Sequence, residues 1–184
     1  MKTIQLAVAA AALTLSSAAM AQSAYVTGNV GLGYVDACDD TPNCDDSSTA
    51  FKFVGGYDFG AGLAAELGYI DFGKARFSVP GFTADFKVSG PTFGFAYNAP
   101  LSKDVGLNMR LGIANLKTKI SATASGFGSA SDSETNSVPY FGLGLNFAVA
   151  QNVRFEAGVD FSRGEYDTEK ADVRALTFGL RVKF

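Results

Sequence analysis

From Ala175 to Phe184 the chain alternates without a break. Leu176, Phe178, Leu180, Val182 and Phe184 are apolar, and Thr177, Gly179, Arg181 and Lys183 between them are small, polar or charged. A period of two is the pattern of a β-strand with one apolar and one wet face. Such a strand at a sheet edge invites aggregation unless both of its sides are paired. The fold must therefore give this segment two neighbours, and its apolar face a solvent that suits it.

The same pattern recurs along the chain. Val26, Val30, Leu32 and Tyr34 alternate with Thr27, Asn29, Gly31 and Gly33; Phe51, Phe53, Tyr57 and Phe59 alternate with Lys52, Val54 and Asp58. Further segments centre on Leu67, on Phe93 and Phe95, on Leu107 to Ile113, on Phe141 to Phe147 and on Val153 to Phe161. The fourth, about 85–97, is the least regular, because Phe86 and Val88 have the opposite parity to Phe93, Phe95 and Tyr97. Ser89, Gly90 and Pro91 between them predict a bulge that resets the register. Short turns are expected at 60–62, 99–104 and 150–152, and longer polar loops at 36–49, 72–84, 121–137 and 164–170. Eight strands with long and short connections in alternation predict an all-β, eight-stranded antiparallel up-and-down transmembrane β-barrel.

Polarity decides between barrels. A soluble eight-stranded barrel keeps its bulky apolar residues inside and its charges outside. Here the continuous bulky set faces glycine, asparagine and charge, an interior that buries too little apolar area to drive folding in water. In lipid the same arrangement works, because closure satisfies every backbone group and the apolar face meets hydrocarbon. The amino terminus agrees with export. Met1 and Lys2 precede an apolar stretch from Ile4 to Leu15, and Ala19, Met20 and Ala21 form a small-x-small site, so residues 1–21 read as a cleaved signal peptide and 22–184 as one barrel domain. No run after it is long enough for a transmembrane helix.

The lumen-facing set is Lys52, Asp58, Glu66, Arg110, Arg154, Glu156, Asp160, Arg181 and Lys183, five cationic and four anionic. Charges in a narrow interior must pair or keep water, and eight strands leave room for little beyond side chains. An ion-paired core is expected, with a narrow porin-like channel for small solutes as the alternative. The chain carries 15 Lys and Arg against 18 Asp and Glu and has no histidine. The acidic balance argues against nucleic acid as a partner. The lack of an imidazole base leaves the loop serines unactivated, so no enzyme activity and no cofactor are expected.

Cys38 and Cys44 read as a small disulfide-closed loop. The same loop holds Asp36, Asp39, Asp40, Asp45 and Asp46, a set that invites calcium but lacks the fixed ligand spacing of an EF-hand, so a solvated surface loop is expected. Lys117, Lys119, Arg163 and Arg174 have the lipid-facing parity at the loop ends of their strands. These four are candidate contacts for lipopolysaccharide phosphates through charge-assisted hydrogen bonds.

Four motifs in order carry a family resemblance: Ala65-Glu66-Leu67-Gly68-Tyr69, Met109-Arg110-Leu111-Gly112, Val153-Arg154-Phe155-Glu156, and Gly179 to Phe184. With these the mature chain resembles the outer membrane protein A β-barrel family of Gram-negative bacteria, in its barrel domain alone. The resemblance implies location in the cell outer membrane and partners in outer-membrane lipid, lipopolysaccharide and the assembly machinery. It implies pairing of Arg154 with Glu66, and an assembly signal at Phe184. A monomer is expected, acting in outer-membrane integrity or in surface interaction with an extracellular ligand at its loops. Ala96 stands where the family can carry a lumen lysine, and Phe and Tyr must form the membrane girdles in the absence of tryptophan.

Overall fold

The computed structural model describes residues 23–38, 43–126, 128–166 and 169–184. The expected signal peptide, and Asp39 and Asp40 of the acidic loop, lie outside the described residues. Eight long strands follow one another: β1 (Ser23–Val35), β2 (Ser47–Gly60), β3 (Leu63–Val79), β4 (Phe82–Pro100), β5 (Val105–Ala124), β6 (Gly128–Ala150), β7 (Val153–Tyr166) and β8 (Glu169–Lys183). Each pairs antiparallel with its sequence neighbours, and β8 closes the ring on β1 with Val182 opposite Val26 and Leu176 opposite Leu32. The terminal strand thus has both neighbours that its pattern demands. A two-residue strand, Cys44–Asp45, adds to the outer end of β3, and Cys38 and Cys44 form a disulfide.

Three expected loops are largely strand. The β3–β4 pair zips to Val79 opposite Phe82 around Pro80 and Gly81, and β5–β6 to Ala124 opposite Gly128. The β7–β8 ladder reaches Tyr166 opposite Glu169. The serine, alanine and threonine of these segments lack the apolar period of a membrane strand, which is why they read as loop. Paired as hairpins above the bilayer, they need no such period.

The outward face changes character along each strand. Low in β5, Leu107, Met109, Leu111 and Ile113 point out and Asn108 and Arg110 point in; higher up, Lys117 and Lys119 point out while Leu116 and Thr118 are buried. The register with β4 is unbroken across this change, from Phe93 opposite Ile113 to Lys87 opposite Lys119. What inverts is the solvent, hydrocarbon below and water above, so the apolar parity moves to the inside at the membrane boundary. The bulge expected at Ser89, Gly90 and Pro91 is therefore absent; Val88 simply faces the lumen above that boundary. The register shift lies on the partner strand instead, between Asp71 and Lys74. There Gly73 takes φ 86°, a backbone state that disfavours any residue with a Cβ.

The lumen consequently has two tiers. The upper is an apolar cluster that includes Val35, Ile70, Phe72, Val88, Leu116, Val138 and Val173. The lower is polar. Outside, Phe51 stacks on Tyr69 and Phe141 on Phe161 near the upper boundary, while Tyr57 meets Phe59 edge-on near the short turns.

Candidate functional site

The lumen charges converge because alternate residues of β2, β3, β5, β7 and β8 all point to one axis. Arg110 lies at the centre. Its Nε is 2.8 Å from Glu66 Oε2, and a terminal nitrogen is 2.9 Å from Glu156 Oε1. Arg181 reaches the other oxygen of Glu156 at 2.6 Å, and Lys52 meets Asp160 at 2.5 Å. Seven of the nine expected residues (Lys52, Asp58, Glu66, Arg110, Glu156, Asp160 and Arg181) are buried. Arg154 and Lys183 sit lower, at the periplasmic mouth, where Lys183 is 3.4 Å from Asp58.

One implied pair is not made. Arg154 donates to the side-chain oxygen of Asn146 at 2.8 Å, and Glu66 is held by Arg110 and by the hydroxyl of Tyr25 at 2.6 Å. Register explains this. Arg154 lies opposite Arg181 near the foot of β7, and Glu66 lies one rung above the Ala65–Tyr57 level of β3, closer to the height of Arg110. Tyr25 itself is fully buried, its ring 4.5 Å beneath the Arg181 guanidinium. Gly56 leaves the space for that ring, since a Cβ there would overlap it.

Chemically, this is a set of charge-assisted hydrogen bonds in a confined space, which fix the side chains that make them. On the outside, the four rim cations are all exposed. Arg163 is paired with Asp172 at 2.8 Å, and Arg174 lies 5.3 Å over the Tyr34 ring. Lys119 is directly opposite Lys87, and Lys117 is next along β5 on the same face. In the first loop the backbone and hydroxyl of Ser47 donate to Asp45, and among the described residues no cluster of acidic, cysteine or histidine side chains could hold a metal ion.

The family model of the outer membrane protein beta-barrel domain matches residues 7–184. The chain belongs to this outer-membrane β-barrel family. No curated protein sequence matches it. The solved structure of Neisserial surface protein A is similar, with a TM-score of 0.65 at 19% identity over 90% of this chain and 100% of the other. Ail of Yersinia pestis gives 0.58 at 19% identity over 88% and 99%, and has also been solved with the heparin analogue sucrose octasulfate. A major outer membrane protein of Thermus thermophilus gives 0.56 at 13% identity over 90% and 100%. These likenesses establish the fold, an eight-stranded barrel.

Several functional side chains of this outer-membrane barrel escaped the sequence reading. Tyr25 and Tyr140 serve the ion network, Tyr140 by donating its hydroxyl to Asp160. Asn98, Asn108 and Asn146 complete the lower tier: Arg181 donates to Asn98 at 2.6 Å, and Asn108 donates to it at 2.7 Å. Parity was the available signal. Tyr25 shares the face of Thr27, and Tyr140 that of Gly142, but parity alone names no hydrogen-bond partner.

Proposed function

We propose that this barrel is a non-conducting outer-membrane protein that acts at the cell surface through its extended outer hairpins. The observation that carries the reading is the double closure of the lumen. Arg110 bridges Glu66 and Glu156 across the middle, and the apolar tier above it is fully buried. A hydrated solute would have to break buried charge pairs and then cross a packed hydrocarbon layer, both costly steps. The porin alternative requires that neither layer be closed.

The outer face supplies the interaction. Lys87 and Lys119 are like charges directly opposite each other, an arrangement that destabilises a sheet. Lys87 is 2.7 Å from Asp71, whereas Lys117 and Lys119 have no ion pair among the described residues. An anionic group between these lysines relieves the repulsion, and at this height lipopolysaccharide phosphates are the available source. Arg163 and Arg174, already engaged by Asp172 and Tyr34, flank the band.

Planar bilayers test the closed lumen: purified protein should give no reproducible conductance steps, and their appearance would replace this reading with the pore. Neutralising Lys117, Lys119, Arg163 and Arg174 together should weaken the outer-membrane permeability barrier. Unchanged barrier function in that variant removes the lipopolysaccharide contact.

A further inference from the structure

The wall of the barrel is not continuous at its outer end. Pairing between β6 and β7 runs from Ala150 opposite Val153 up to Phe141 opposite Phe161 and stops. Yet β6 continues beside β5 to Gly128, and β7 continues beside β8 to Tyr166. The next residue of β6 whose backbone turns toward β7 is Pro139, whose carbonyl accepts a hydrogen bond from Ser162 Oγ at 2.8 Å. In an antiparallel strand the N–H and C=O of one residue point to the same side. The donor that proline lacks is therefore the one the next rung needed. Above this point β7 leans inward: Gly164 is buried, and a Cβ on it would come within 3.0 Å of Val88 on β4.

The divergence leaves a cleft of about 370 Å³ between β6 and β7. Its lips are Leu111, Phe141 and Phe161, exposed side chains on the lipid-facing side. Its floor is Val138 and Tyr140, both members of the apolar lumen tier. The opening is thus lateral, at the level where the outward parity changes from hydrocarbon-loving to polar.

We propose that this cleft is a lateral port that holds the acyl chain of an outer-leaflet lipid. The occupant follows from the surroundings. The lips stand in hydrocarbon, where water is excluded and every backbone group must be satisfied within the protein. On the β6 side of the open rung no backbone group is left wanting, because Pro139 has no N–H and its carbonyl is taken by Ser162. Buried water needs polar partners, and floor and lips offer mostly apolar surface. The outward end carries Arg163, Glu165 and Asp172, so an amphipathic lipid lies with its head toward the aqueous side and its chain toward Tyr140. The port is independent of phosphate binding at Lys117 and Lys119.

The test uses the intact barrel in vesicles of phosphatidylethanolamine and phosphatidylglycerol, with a trace of phospholipid bearing a diazirine on its acyl chain. After irradiation, peptide mapping should show several-fold more label at Pro139, Tyr140 and Ser162 than at Leu67 and Phe93 on the opposite wall. Ser162→Phe fills the cleft and should abolish the excess while the heat-modifiable gel mobility of a folded barrel is kept. Even labelling around the belt in the native protein overturns the port, as does an undiminished excess in a folded Ser162→Phe barrel. If that variant fails to fold, the label distribution on the native protein decides alone.

Discussion

Arg110 and Glu66 meet across the barrel axis, not along a strand pair: one stands on β5 and the other on β3, with β4 between them, and Nε to Oε2 is 2.8 Å. The same guanidinium reaches Glu156 on β7, two strands away on the other side. A single side chain thus braces three walls that share no ladder. A planar fork with several donors is pre-organised to serve two carboxylates at once.

Arg110→Met should therefore cost about 3–5 kcal/mol, because it strands two buried carboxylates instead of replacing the whole set by apolar groups. Arg110→Lys keeps the charge but not the fork, and should fall between that variant and the native protein. Urea unfolding in lipid vesicles measures both. A Met variant as stable as the native barrel would mean that Arg181 and Lys52 alone hold the network.

The lipid-facing parity of β8 gives a second expectation. Leu180 is exposed on the outer surface between Phe178 and Val182, whereas Thr177 is buried in the lumen. Leu180→Arg near the middle of the bilayer should cost about 2–4 kcal/mol. Thr177→Ser, which removes one methyl group from the lumen, should cost about 1 kcal/mol or less by the same unfolding assay.

These two residues also show what was legible in the sequence. Their alternation fixed strand, face and membrane at once, since period two admits only two faces and only one of them was apolar. The strand count and the closure on β1 followed from the same periodicity. The hairpins above the bilayer were not legible, because paired strands in water carry no obligatory apolar period. Nor was the apolar upper tier: Val88 and Leu116 look like faults in the pattern until the solvent is known to change at Ser89 and Asn115. Long-range choice of partners was equally hidden: the resemblance implies Arg154 for Glu66, whereas height along the barrel axis gives that carboxylate to Arg110.

The β3–β4 hairpin should loosen in acid. Arg76 Nε and Lys74 Nζ lie 2.6 and 3.3 Å from the Asp85 carboxylate, well above the membrane boundary. The hydrogen bond from Arg76 comes first in holding Asp85 below the usual carboxylate range. A carboxylate depressed on folding contributes stability that is present above its unfolded pKa and is lost as the pH falls through the folded value. Amide protection at Thr83 and Ala84, taken relative to the intrinsic exchange rate at each pH, should accordingly stay high at neutral pH and fall only below the usual carboxylate range. Asp85→Asn should show low protection at all pH values. An unchanged profile in that variant would leave the backbone ladder as the sole restraint on the hairpin.

A variant at Phe184 tests whether folding and assembly can be separated. Its backbone N–H donates to the carbonyl of Ala24 at 2.9 Å, which any residue at that position would do, while its side chain is 74% exposed at the periplasmic end of the barrel. Removing the ring should therefore cost the folded barrel little packing. The resemblance to the outer membrane protein A family implies a second use for it, as the terminal aromatic read by the assembly machinery. Phe184→Ser should refold in detergent and in vesicles with native stability, yet reach the outer membrane of growing cells in much reduced amount. Equal loss in both settings would make the ring a packing element. Equal retention in both would remove its role in assembly.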